Sequence, residues 1–152
     1  MIKYALIGTA LLAVTVIIHA IGTLVLVRLL APHRSALDSG PRWGQILKIL
    51  IGTVLLLLFL HLAEILVWAV AFLRMEIGSD LQSFEEAVYF SFVTYTTLGY
   101  GDITLSGPWR IMSGIEALNG VLLAGWSTAL LFGLVQKILQ SIHLQGDRHD
   151  QP

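Results

Sequence analysis

Six residues stand out in an otherwise largely apolar chain: His19, His61, Glu64 and Glu116, and two glycines one residue apart, Gly99 and Gly101, within the stretch TTLGYGD from Thr96 to Asp102. His61 and Glu64 are three residues apart, about one helical turn, so an imidazole and a carboxylate can share a transition-metal ion. That reading lacks a second matched pair of donors. The glycines point to backbone chemistry instead. They invite conformations closed to other residues, so the run Thr97–Asp102 reads as a non-helical loop.

The elements that hold these residues follow from composition. The chain has 152 residues, 56% hydrophobic and 12% charged, with a mean hydropathy of +0.80. That leaves too little polar surface for an ordinary soluble domain and implies a membrane protein. A formal net charge of −1 provides no basic stripe for a nucleic acid, and the absence of cysteine excludes disulfides and thiolate metal sites. Three apolar segments reach the roughly 20 residues needed to cross a hydrocarbon core: Tyr4–Val27, Ile46–Leu73 and Ile111–Gln136. The first exceeds the roughly 7–15 apolar residues of a secretory signal and is read as a retained span.

Charge sets the expected orientation. The first connector carries Arg28, Arg34, Arg42 and Lys48 against Asp38, whereas the second holds Glu76, Asp80, Glu85, Glu86 and Asp102 between Arg74 and Arg110. Basic loops stay inside, which places the N-terminus outside and the C-terminus in the cytoplasm. The final residues, SIHLQGDRHDQP, give no sign of a folded regulatory domain.

Between the second and third spans, Ser83 and Glu86 form a capping-box pattern that predicts a short helix from Phe84 to Thr96. At this length it cannot cross a bilayer, so it is expected to enter, reach the midplane and stop. Non-helical backbone at that depth is tolerated only where protein buries it or where it lines a watery path, and a pore meets this condition.

TTLGYGD after a short aromatic-rich helix and between two spans resembles the selectivity filter of the potassium channel pore-module family. The resemblance implies an all-α membrane protein with three transmembrane helices, a re-entrant pore helix and a filter loop, assembled as a homotetramer around a shared pore. It divides the chain into an N-terminal helix and linker (1–45), a pore module (46–137) and a short cytoplasmic tail (138–152). Within the module it implies an outer helix at 46–73, a pore helix at 84–96, a filter at 97–102 and an inner helix at 111–137. It further implies that K+ is the permeant ion, held by the carbonyls of Thr97, Leu98, Gly99 and Tyr100 and the Thr97 hydroxyl, with Gly101 at the outer mouth. Several oxygen dipoles must converge to replace a cation's hydration shell, and one loop per chain calls for four chains. Leu98 stands where Val or Ile is usual, and Tyr89 and Phe90 occupy positions often held by two tryptophans. Tyr89 is therefore the expected partner of Asp102. Gly120 resembles a gating hinge, and Asn119, Ser127 and Thr128 are expected on the cavity wall.

The partners implied are membrane lipid and other copies of the chain, with no organic cofactor and no enzymatic role. The location implied is a plasma membrane, of the prokaryotic inner-membrane type. A weakly selective cation channel and a non-conducting accessory subunit are the alternative readings. Counting depth at 1.5 Å per residue puts Glu64 about 7 Å and Glu116 about 11 Å outward of their helix centres, level with the filter. Both are expected to hydrogen-bond behind it, to Ser91, Thr94 or Tyr95. Gly8, Thr15, His19 and Gly22 share one face of the first span and suit close packing. His19 is placed roughly 7 Å in depth from His61 by the same count, and could instead sense pH.

Overall fold

The computed structural model describes residues 2–33, 43–75 and 81–149. Among these, four α-helices account for nearly all regular structure and no strand occurs. They are α1 (Ile2–Leu30), α2 (Trp43–Arg74), α3 (Phe84–Tyr95) and α4 (Arg110–His149). Three helical segments are long and apolar enough to span a membrane: Ile2–Leu30, Trp43–Arg74 and Gly107–Ile142. In lipid the backbone must satisfy its own hydrogen bonds, so long apolar runs of this kind become helices. Arg34, Asp38, Arg42, Glu76 and Asp80, which entered the orientation argument, lie outside the described residues.

Each helix end has a local cause. A 3-10 turn at Ala31–His33 follows α1, where Pro32 cannot continue the helical hydrogen bonding. Ser83 caps α3, its hydroxyl accepting from the Glu86 amide at 3.1 Å. The Glu86 carboxylate reaches back to the Gln82 amide at 2.7 Å, one residue before the cap itself. Pro108, in the 3-10 turn Gly107–Trp109, leads into α4. That last helix is continuous through Gly120 and extends beyond Lys137 into the segment assigned above to the tail.

The packing is that of a short helix wedged between two long ones, with a third long helix laid against the pair. Helix α3 rests on both α2 and α4; α1 also contacts both. At the end that carries the loop, Trp68, Phe72, Ala87, Phe90, Leu105 and Met112 form the main core. Ile46, Ile49, Leu134 and Ile138 close the opposite end. Gly8 lies against Ile115, Thr15 against Asn119 and His19 against Ser127, so α1 runs parallel to α4.

The buried face of α1 is Gly8, Thr15, His19, Gly22 and Leu26. A methyl group on Gly22 would overlap the Leu60 side chain, so glycine there sets the closeness of α1 and α2. Small and polar residues on the seam, with bulky apolar ones turned outward, are what helix association in lipid requires, because lipid already solvates Leu and Ile.

Candidate functional site

The loop from Thr97 to Asp102 is built on the end of α3. The Thr97 amide donates to the Thr94 carbonyl at 2.9 Å and the Leu98 amide to the Val93 carbonyl at 2.9 Å, the paired bonds of a Schellman motif. The position that terminates such a motif takes a left-handed conformation and is usually Gly. Here it is Thr97, at φ 60°, a conformation that costs a non-glycine residue about 1–2 kcal/mol. The Gly99 amide also donates to Val93, at 3.2 Å. Three successive amides, of Thr97, Leu98 and Gly99, are thus tied back to the helix.

Beyond Thr97 the sign of φ alternates. Gly99 has φ 57° and Gly101 φ 80°, while Leu98 and Tyr100 between them remain at negative φ. Neither glycine has any atom from elsewhere in the chain within 4 Å of where a Cβ would stand. Leu98 is 56% and Tyr100 67% exposed, so this chain alone does not cover the loop. At its far end the Tyr89 hydroxyl donates to Asp102 Oδ2 at 2.6 Å, fastening the loop to the first half of α3. That bond holds the Asp102 carboxyl below its ordinary value, and it pushes the Tyr89 phenol above its own.

A short capped helix, a loop with alternating backbone handedness and two flanking apolar helices therefore lie in one continuous stretch. The sequence model of a family described as ion channels matches residues 58–137, more than half of the chain. The protein belongs to this ion channel family. No curated protein and no solved structure matches it. The matched region takes in most of α2, all of α3 and the loop, and α4 through Lys137; α1 lies outside it. The channel is accordingly a multi-pass membrane protein with a permeant ion and oligomeric assembly.

Beneath the loop the channel holds a buried polar cluster that joins all four helices. Glu64, fully buried on α2, accepts from the Tyr95 hydroxyl at 2.5 Å and lies 2.9 Å from His19 Nδ1. His61 Nδ1 is 3.1 Å from Tyr95 Oη and 3.2 Å from Glu64 Oε2, and its Nε2 is 2.9 Å from Ser127 Oγ. Next to this set, Asn119 Nδ2 donates to Thr15 Oγ1 at 2.7 Å.

The structure revises several sequence expectations here. His19 contacts Glu64 directly, and its ring centroid is 5.4 Å from that of His61. The separation expected from depth counting treated the helices as upright and independent. Asn119 and Ser127 are buried against α1 and the cluster rather than on a cavity wall, while Thr128 is exposed and bonds within its own helix to the Ala124 carbonyl. Glu116 is fully buried beside Ser91, yet neither of its oxygens finds a hydrogen bond of good geometry, and the Trp68 indole N–H is likewise unpaired. At Gly120 an added Cβ would overlap the Tyr95 carbonyl oxygen. Close approach of α4 to the end of α3 is therefore sufficient reason for a glycine there.

A cleft of about 470 Å³ lies between His61, Tyr95, Thr97, Gly120 and Val121. His61, about 20% exposed, forms part of its wall, so the cluster has one open side. Two sequence signals pointed to this assembly: the His61–Glu64 spacing on α2, and the depth count that made Tyr95 an expected partner of Glu64. No sequence signal joined it to His19 or Ser127, which are distant in the chain and meet only through the helix crossing.

Proposed function

We propose that the protein is a potassium-selective channel in which four copies surround one pore, each contributing the loop Thr97–Gly101. The observation that carries this reading is the alternation of φ at Thr97, Gly99 and Gly101. Alternating handedness turns successive peptide planes so that their carbonyls share a side, and the amides of Leu98 and Gly99, tied to Val93, are directed away from it. A row of carbonyl dipoles stripped of competing N–H groups suits a dehydrated monovalent cation. The carbonyls of Thr97, Leu98, Gly99 and Tyr100 and the Thr97 hydroxyl are the proposed ligands, with Gly101 at the mouth and Tyr89, Asp102, Glu64 and Glu116 as its support.

Exposure of Leu98 and Tyr100 in the single chain supports assembly, since polar backbone at membrane depth needs protein around it and neighbouring copies supply it. The C-terminal end of α3 directs its negative dipole toward the space below the loop, where a cation would wait. Gly120 serves first as a packing contact, with a hinge role proposed on top of it. The proposed orientation puts the N-terminus outside and the residues after Lys137 in the cytoplasm.

Reconstitution in planar bilayers under a potassium/sodium gradient tests the reading. A reversal potential near the potassium equilibrium value is expected. One near zero identifies a weakly selective cation channel, and a stable homotetramer without current identifies an accessory subunit; either result refutes the proposal. Conductance that survives disruption of Gly99 removes the filter assignment.

A further inference from the structure

His19, His61 and Glu64 have a donor arrangement that ion conduction does not require. One oxygen, one nitrogen and one nitrogen from these three side chains fall within 4.8 Å of one another, two helices contributing them. Both Nδ1 atoms face the carboxylate, one to each oxygen, at 2.9 Å and 3.2 Å. Both Nε2 atoms face a single hydroxyl, Ser127 Oγ, at 2.9 Å and 3.4 Å. We propose that these three side chains bind one divalent transition-metal ion of the zinc class, clamping α1 to α2 beneath the loop.

The count of donors and acceptors favours this use. With neutral rings and no metal the cluster is one proton short in either tautomer of His61: with the proton on Nδ1, two Nε2 lone pairs share the Ser127 proton, and with it on Nε2, His61 Nδ1 and Glu64 Oε2 share the Tyr95 proton. A buried acceptor is then left without a partner, which is costly. A metal at the Nδ1 atoms sets both tautomers. The two Nε2–H groups then donate to Ser127 Oγ, whose lone pairs accept both, and the ring orientations are fixed from behind as metal-binding histidines usually require. Zinc bonds of about 2.0–2.2 Å in a tetrahedron place neighbouring donor atoms about 3.3 Å apart. The three donors lie within 4.8 Å of one another, with 2.9 Å and 3.2 Å from the two Nδ1 atoms to the two carboxylate oxygens, so small side-chain shifts bring them around one ion.

The donor chemistry also narrows the ion. Two imidazoles and a carboxylate without thiolate suit Zn²⁺, Co²⁺ or Ni²⁺, and disfavour Ca²⁺ and Mg²⁺, which seek oxygen ligands throughout. Three protein ligands leave a fourth position open, and Tyr95 Oη stands beside both Glu64 and His61. Access runs through the cleft that His61 lines. A bound ion would join the N-terminal helix to Tyr95 and so to the base of the loop, giving a divalent cation a direct hold on the channel.

The test is metal binding by the purified full-length chain in detergent, with cobalt and zinc as probes and no dependence on conduction. After cobalt loading and desalting, elemental analysis should find about one ion per chain, with the visible d–d absorption of a four-coordinate site. Ser127→Ala keeps the three ligands and should weaken binding about 10- to 100-fold. His19→Gln and His61→Gln should abolish stoichiometric retention. X-ray absorption on the zinc-loaded wild-type protein, which needs no variant to fold, should show two imidazoles and a carboxylate oxygen. Wild-type protein that retains no metal, a six-coordinate aquo spectrum, or retention unchanged in both histidine variants overturns the proposal.

Discussion

Replacing Gly120 with alanine tests the contact on which the geometry beneath the loop depends. A Cβ at this position would overlap the Tyr95 carbonyl oxygen and come within 3.1 Å of Tyr95 Cδ1. The carbonyl belongs to the backbone of the last turn of α3, so it cannot rotate aside as a side chain would. Seating the methyl group requires α3 and α4 to separate. Overpacking of this kind costs about 1–3 kcal/mol, and rigid backbone puts the cost at the upper end. Alanine recovers about 0.8–1.0 kcal/mol of helix propensity. The net expectation is destabilisation by about 2 kcal/mol, or a fall of about 4–8 °C in midpoint for a chain of this size. Gly52→Ala on α2 is the matched control, since no atom lies within 4 Å of its Cβ position. It should gain about 0.8–1.0 kcal/mol and melt about 2–4 °C higher. Fluorescence-detected size-exclusion chromatography after graded heating in detergent measures both. A Gly120→Ala protein as stable as wild type would refute the close approach of α4 to Tyr95.

Three further outcomes are expected. Glu64→Gln places an amide N–H where Tyr95 or His19 now donates, so it should destabilise the protein by about 1–3 kcal/mol, and combined with Tyr95→Phe it should cost less than the sum of the two in the same thermal assay. Gly22→Ala meets the flexible end of Leu60 rather than backbone and should lower the midpoint less than Gly120→Ala does. The Tyr89–Asp102 bond should be insensitive to pH across the neutral range. The carboxyl is held below its usual 3.8, so its contribution is complete above that value and is lost only as pH falls through the lower folded value. The phenol is pushed above 10.0, so its contribution is complete below that value and is lost only as pH rises through the higher one. Recordings at external pH 5 to 9 should therefore show no transition that Tyr89→Phe removes; a midpoint near 6 that vanishes in this variant would contradict the assignment.

The fold class was legible because a bilayer imposes a length and a polarity that few sequences meet by chance, and the three long helices satisfy both. The start of α3 was legible for a local reason, the Ser83 and Glu86 pairing with nearby amides. The contact of Tyr89 with Asp102 was legible through the family resemblance, which put Tyr89 where a tryptophan is often found. The bond of Tyr95 to Glu64 was legible from depth along the helices, whereas the other relations set by helix crossing eluded the sequence. His19 and Glu64 are 45 residues apart and meet at 2.9 Å, a contact that nothing in the sequence pointed to. Thr97 carries no sign of its left-handed backbone, because that conformation comes from the Schellman bonds behind it rather than from its own side chain. Glu116 shows the converse: its depth beside α3 was readable, but no hydroxyl closes on it with good geometry.

The parallel run of α1 beside α4 also dictates an order of assembly during synthesis. Thr15 waits for Asn119, 104 residues downstream, and His19 waits first for Glu64 and then for Ser127. Helix α1 is made before α4, so it must reside in lipid with part of its polar seam unmatched until α4 is inserted. Holding a histidine in hydrocarbon is costly, so the newborn chain carries a standing incentive to close α1 onto α2 as soon as Glu64 enters the bilayer. Docking of α4 then completes the seam.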